Sequence, residues 1–394
     1  MRLILGSSNQ PDAGAGIAAY VKELATQFVR LGIEVHVASP SPKDLKWLTD
    51  NGIHHFAISE RDDQLASARR LLAYIRAHRM DCVINNDNSL LQSVAPALSC
   101  PFIAVGHFGS TSIASLACYQ WRWSDYVVAI SSDMQRRFVD KFDVPITRCP
   151  IIHNGIRDTG FDAGIARRDL NTLYVTYAGG ANRFKGADLV LKAVCNNDAR
   201  WNNVVLNWYG KLPPKIVRQL SNISHVRVHG HVPREALFEG LRTSDVLLFP
   251  SRAEGCPMAL IEAMSLGVVP IASDGEGAMR WLVTSGLDGY ICHLKDWGRQ
   301  MMDCIIHFKH NPDALAAMKQ EARRRFVTDY EISVTAQKLL TLLKYPTVDR
   351  LRAPRTIEVL RWHRPARLSL LDRVSFRTGW LRRAGTLETA DGNL

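Results

Sequence analysis

Nowhere do these 394 residues carry an apolar run long enough to cross a bilayer, and the opening MRLILGSSNQPDAGAG offers only Leu3-Ile4-Leu5 before polar residues begin. That is far short of a signal-peptide core, so neither export nor membrane spanning is expected and the sequence reads as cytoplasmic. The eight cysteines (Cys82, Cys100, Cys118, Cys149, Cys195, Cys256, Cys292, Cys304) are dispersed, with no C-x-x-C pair and no histidine cluster at ligand spacing. Such a pattern supports neither a disulfide framework nor a structural zinc site; reduced thiols and no metal are expected. D-x-D, low-complexity stretches and short-period repeats are also missing. No recognisable reader module accompanies the basic charge, which argues against nucleic acid as a partner.

What is present is enough apolar material, 46% of residues, to build two cores, and a length beyond what one core organises. Lysine plus arginine exceed aspartate plus glutamate by 49 − 38 = 11 charges, which favours an anionic partner. From Arg2 onward, short apolar runs alternate with helix-period segments, the pattern of parallel strands joined by crossover helices. The first half shows strands at LILGSS, EVHVAS, HHFAIS, DCVINN, PFIAVGH and DYVVAIS, with helices over Ile17 to Leu31 and Leu65 to His78. In the first of these helices Ala18, Val21, Leu24, Ala25, Phe28 and Leu31 share one face. After a break at CPIIHNGIRDTGFDAGIARRDLN the alternation restarts with LYVTYAGG, VVLNWYG, VRVHGHV, DVLLFPS and VVPIAS. The fold class is therefore α/β: two Rossmann-like domains facing across a cleft at the carboxyl ends of their strands.

Gly14, Gly16 and Ala19 spell G-x-G-x-x-A with Glu34 downstream, the outline of a dinucleotide fingerprint. The context fails it twice. NQPDA separates the first strand from Gly14, and Glu34 opens the second strand instead of closing it, at the wrong sheet edge for a ribose. Two readings of these glycines stand: backbone that approaches an anion at a helix start, or a flexible turn.

The run 249-FPSRAEGCPMALIEAMSLGVVPIAS-273 is the most informative. A strand ends at Phe249, Glu254-Gly255 lie in a loop, and Pro257 suits the first position of a helix reaching Gly267. The N–H groups of Gly255, Cys256 and Met258 would then face a phosphate. Glu262 lies within the helix beside apolar residues, where a carboxylate needs a hydrogen-bonding partner; a pair of sugar hydroxyls is one candidate.

Glu254 and Glu262 form an E-x7-E spacing between a strand and G-x-x-P-I-A-S, and with AISSDMQRRF, IIHNGI, RFKGADLVLKA and GLDGYIC they make the sequence resemble the retaining GT-B glycosyltransferases of family 4 type, glycosyltransferases group 1. The resemblance runs to about Tyr345. It implies that Glu254 faces the transferred sugar, Glu262 binds the nucleotide ribose, Lys185 grips the donor diphosphate and His107 contacts the donor sugar. It also implies that Gly14 and Gly16 line the cleft near donor phosphate and acceptor, with Gly255, Cys256, Pro257 and Met258 on the donor side. Two departures stand out. Gly180 occupies the place of an expected arginine, leaving Arg183 as candidate second cation, and Phe108 replaces the acid commonly found after the histidine.

The activity so implied is transfer of a hexose-type sugar from a nucleoside-diphosphate sugar to a glycan or lipid-linked acceptor, with retention, without metal or cofactor, in polysaccharide or lipopolysaccharide assembly. The alternatives are an epimerase or phosphorylase of the same fold, or a non-catalytic binding relative. The expected divisions are 1–153 (acceptor side), 154–327 (donor side), a crossover helix over 328–345 returning to the first domain, and a basic extension over 346–394, with hinges at Asn154-Gly155 and Asp329 to Ser333. Ten arginines fall between Arg350 and Arg383. Segment 366–385 reads either as a helix lying peripherally on an anionic membrane, with Leu370, Leu371, Val374 and Leu381 on one face, or as part of an extension packed on the first domain or disordered.

Overall fold

The computed structural model describes residues 1–10, 16–41, 46–59, 63–107, 116–160, 171–196, 199–351, 353, 355–363 and 383–390. Gly14 and Phe108 lie outside them. The chain divides into two compact units, Met1–Gly155 with Ile332–Leu394, and Ile156–Glu331.

In the first unit β1 (Arg2–Ser7), β2 (Glu34–Pro40), β3 (His54–Ile58), β4 (Cys82–Asn86), β5 (Phe102–Gly106) and β6 (Tyr126–Ala129) form one parallel sheet in the order β3-β2-β1-β4-β5-β6. Helices cover its central strands, so β1 buries Leu3, Ile4 and Leu5 in succession instead of alternating. The Gly16–Arg30 helix buries Ala18, Val21, Leu24, Ala25 and Phe28 as its periodicity predicts, and each large apolar side chain buried this way contributes roughly 2 kcal/mol. Leu31 departs from that prediction. It falls in the turn beyond the helix and is 49% exposed. The Ile332–Leu343 helix returns to pack against the Gly16–Arg30 helix, and Thr335 donates a 3.0 Å hydrogen bond to the His153 carbonyl.

The second unit repeats the plan. β7 (Leu173–Ala178), β8 (Val204–Tyr209), β9 (Val226–Gly230), β10 (Val246–Phe249), β12 (Val269–Ser273) and β14 (Tyr290–Cys292) are ordered β14-β12-β10-β7-β8-β9, while β11 (Ala253–Glu254) and β13 (Glu276–Gly277) make a small parallel ladder beside them. Both large sheets have the doubly wound order in which the chain reverses direction beside its first strand, the switch point where such folds bind ligands. Trp208, Trp297 and Tyr177 anchor the core of this unit. β14 was not anticipated from sequence; three residues are too few to show a strand pattern.

The tail also differs from the membrane-helix reading. β15 (Ile357–His363) and β16 (Arg383–Ala390) pair antiparallel, so residues 383–385 of the proposed helix are in a strand, while 366–382 lie outside the described residues. β15 packs on the Gln64–Ala77 and Ser89–Val94 helices. Ahead of it, the buried Asp125 accepts from Thr347 N and Val348 N at 2.8 Å each and from Arg350 at 2.7 Å, which fixes the start of the extension on the first unit. Among the described residues no helix is long and apolar enough to cross a membrane.

Candidate functional site

In the second unit β7 and β10 are direct neighbours, Val175 facing Val246, so the loops leaving their carboxyl ends run side by side. The β7 loop closes in a short 3-10 turn over Arg183–Lys185, held by Asn182 Oδ1 accepting from Phe184 N at 2.8 Å. The β10 loop is tied to it where Arg252 N donates to the Phe184 carbonyl at 2.9 Å. These constraints bring Lys185 Nζ onto Glu254 Oε1, and Ser251 Oγ donates to the same oxygen at 2.7 Å. Gly186 makes the juxtaposition possible. Its φ is +79°, and a Cβ there would stand 2.2 Å from the Pro250 carbonyl oxygen.

Lys185 also lines a pocket of about 770 Å³ with Gly180, Asn182, Tyr209, Lys211 and His231. Gly180 has φ +56°, and a Cβ on it would lie 2.9 Å from the Lys211 carbonyl oxygen, so a longer residue at this position would need a different loop. Arg183 does not converge on Lys185. Its side chain is 85% exposed with Nε 3.5 Å from Asp188, whose two oxygens are already held by Arg252 at 2.9 and 2.8 Å.

Pro257 stands one residue ahead of the Met258–Ser265 helix, a correction to its sequence placement as first helical residue; its carbonyl accepts from Leu260 and Ile261 at 3.0 and 3.3 Å. Gly255, Cys256 and Met258 are half-buried around it. Glu262, on the next turn, is 8% exposed. Arg234, the first residue of the Arg234–Arg242 helix, reaches it with Nε at 3.0 Å and a terminal nitrogen at 2.7 Å, both on Oε1. Sequence reasoning identified the need for a partner but not Arg234, which lies 28 residues upstream. Ser251 was likewise missed.

In the first unit His107 directly follows β5 and is buried among polar groups. Asn154 Nδ2 lies 3.2 Å from its Nδ1, and Asn86 Oδ1 lies 2.9 Å from its Nε2. An amide nitrogen only donates and an amide oxygen only accepts, so the ring is the Nε2–H tautomer with both nitrogens engaged. Asp87 Oδ2 accepts from His107 N at 3.0 Å. Burial pushes the Asp87 carboxyl up to about 7 and His107 down to about 3. Asp87 has φ +51° and its Oδ1 is buried without a partner among the described residues. None of the polar neighbours Asn86, Asp87 and Asn154 was singled out as a site residue from sequence, since isolated asparagines and aspartates carry no spacing signal. Gly16 opens the Gly16–Arg30 helix on its exposed side.

The family described as glycosyl transferases group 1 matches residues 162–325, and that described as Glycosyltransferase Family 4 matches residues 14–159. An uncharacterized glycosyltransferase of Methanocaldococcus jannaschii is 26% identical over 183 residues, 44% of this chain and 46% of the relative, so the chain spans about half the length of that relative. Among solved structures, a glycosyltransferase of Rickettsia africae superposes with a TM-score of 0.74 at 14% identity, over 89% of this chain and 98% of that one. HepE of Anabaena, in complex with UDP and glucose, gives 0.69 at 15% identity over 87% and 99%.

Proposed function

The chain belongs to the GT4-type group 1 glycosyltransferases, and from that premise we propose that it transfers a hexose-type sugar from a nucleoside-diphosphate sugar to a glycan or lipid-linked acceptor, with retention of anomeric configuration and without a metal. The observation that carries the reading is the position of Lys185, bound to Glu254 on one side and lining the 770 Å³ pocket on the other.

Breaking the bond from anomeric carbon to phosphate builds negative charge on the departing diphosphate, the largest electrostatic demand of the reaction. Lys185 meets it, aided by Arg183 once that exposed side chain turns from Asp188, and by the amides of Gly255, Cys256 and Met258 around the helix start. Glu254 faces the transferred sugar and holds Lys185 in place. Glu262 takes the ribose hydroxyls, its carboxylate oriented by Arg234 at Oε1. Because both ring nitrogens of His107 are engaged, it contacts the sugar either through its ring edge or by exchanging Asn154. The acceptor hydroxyl attacks from the face the diphosphate leaves, and the diphosphate takes its proton. The same reading places the enzyme in polysaccharide or lipopolysaccharide assembly at the inner face of the membrane; the complex of Anabaena HepE with UDP makes UDP the first nucleotide to try.

The test is a thermal-shift series of the purified protein against UDP, GDP, ADP and NAD without metal, alongside Glu262→Ala and Lys185→Ala. Stabilisation by one nucleoside diphosphate that is lost in both variants supports the proposal and names the base of the donor. No shift from any diphosphate, or a shift from NAD alone, overturns it.

A further inference from the structure

The amino-terminal edge of the first sheet, opposite the edge that carries His107, gathers a second group of polar side chains. β2 begins at Glu34, and His36, two residues on, projects from the same face. His54 is the register partner of His36 on the neighbouring strand β3, so its ring joins them, with centroids 4.5 Å apart and planes inclined by only 25°. Side-chain donor atoms of Glu34, His36 and His54 all lie within 4.8 Å of one another. His78, at the end of the Gln64–Ala77 helix, sets its ring 5.1 Å from that of His36.

The geometry is that of a ligand set and not only of a packed cluster. His36 is fully buried; its Nδ1 lies 2.7 Å from the Tyr74 hydroxyl and its Nε2 3.2 Å from Glu34 Oε1. A tetrahedral site with bonds near 2.0–2.1 Å separates its ligand atoms by roughly 3.3 Å, so the Glu34–His36 spacing already fits one edge. The outer contact from Tyr74 to Nδ1 is the kind that fixes a ligating imidazole. The other carboxylate oxygen of Glu34 is held 3.2 Å from Arg2, which orients Oε1 toward His36. Nitrogen ligands in the majority disfavour magnesium and calcium, which take oxygen.

We infer that Glu34, His36 and His54 form a binding site for a divalent transition-metal ion of the zinc class, with His78 or water completing four-coordination. It would staple β2 to β3, at the opposite sheet edge from His107, and is independent of the donor chemistry proposed above.

The experiment uses the full chain without any histidine tag, titrated with zinc by calorimetry and with cobalt(II) by visible absorption. One zinc per chain is expected, together with the absorption bands of tetrahedral cobalt. Glu34→Gln and His54→Ala change exposed side chains, so the fold survives, which circular dichroism checks; each should weaken zinc binding at least tenfold and remove the cobalt bands. Lys185→Ala should bind zinc as the native protein does. Absence of saturable one-to-one uptake overturns the inference, as does uptake that both variants leave unchanged, which would assign the metal to thiols elsewhere.

Discussion

Lys185 and Glu254 leave two adjacent parallel strands and meet in a single ion pair that the Ser251 hydroxyl shares at 2.7 Å. The lysine side chain is 41% exposed, so the pair itself is worth only about 1 kcal/mol of stability. Glu254 is only 10% exposed but keeps Ser251 as donor, so Lys185→Ala should cost no more than about 1–2 kcal/mol of stability yet lower sugar transfer by roughly 10²–10³-fold, the typical cost of removing one group that stabilises charge in a transition state. Turnover kinetics beside a melting curve check this; a large drop in melting temperature with turnover preserved would make the lysine structural.

Gly186 lets the lysine arrive. Replacing it with alanine places a Cβ 2.2 Å from the Pro250 carbonyl and forces a side chain into φ +79°. The left-handed conformation alone costs about 1–2 kcal/mol, and the clash moves the Arg183–Lys185 turn away from the Pro250–Glu254 loop. Loss of both stability and diphosphate binding is expected in Gly186→Ala, read by denaturant unfolding and by nucleotide titration.

Arg234 holds the buried carboxylate of Glu262, although its own side chain is 44% exposed. Removing it leaves a carboxylate without the cation that offsets its burial, a loss of about 1–2 kcal/mol after allowance for solvent on the arginine side. Arg234→Ala should also weaken nucleotide binding, because the second oxygen of Glu262 is no longer oriented. A Glu262→Gln change made together with Arg234→Ala should recover part of the stability but not the binding.

The same residues show how far sequence carries. Parallel strands buried on both faces advertise themselves as near-continuous apolar runs, as β1, β5 and β12 do, whereas β3 and β9 are only partly buried and were legible through the alternation around them; the loops after β7 and β10 were legible through the RFKG and E-x7-E motifs that carry the family resemblance. Arg234 was not, since an arginine opening an amphipathic helix looks like any solvated one until the fold brings Glu262 to it. Nor was the Glu34, His36 and His54 group: the alternation of a strand sets Glu34 and His36 on one face, but only the β2–β3 register adds His54. The β15–β16 pair was not legible, because its two short strands, with one arginine each, flank the arginine-rich stretch whose pattern reads as a surface helix.

Asp125 ties the extension to the first unit through its contacts with Thr347, Val348 and Arg350, and it also accepts from Phe102 N at 2.9 Å. Its side chain and that of Arg350 are 1% and 11% exposed. Truncating Arg350 takes the cation from a buried carboxylate that keeps its backbone donors, so Arg350→Ala should destabilise by about 2–3 kcal/mol. It should also release the segment beyond Tyr345 to limited proteolysis, with the native protein as control.

Asp87 gives the first unit a pH dependence whose sign follows from burial. Its carboxyl titrates near 7 in the folded protein, against about 3.9 when unfolded, so between these values the native state holds the extra proton. Stability must fall as pH rises through that window, by up to about 1.4 kcal/mol per pH unit, and change no further from this group above it. His107, pushed down to about 3, works oppositely, withdrawing stability as pH falls below the ordinary histidine range. Asp87→Asn separates the two. Asparagine tolerates the φ of +51° and keeps an oxygen for His107 N, but it does not ionise. The stability of the variant relative to the native protein should rise steadily from pH 4.5 to 7 and level off above, as measured by urea unfolding at each pH. A difference that stays constant across the range would mean that Asp87 titrates normally and its buried oxygen is solvated.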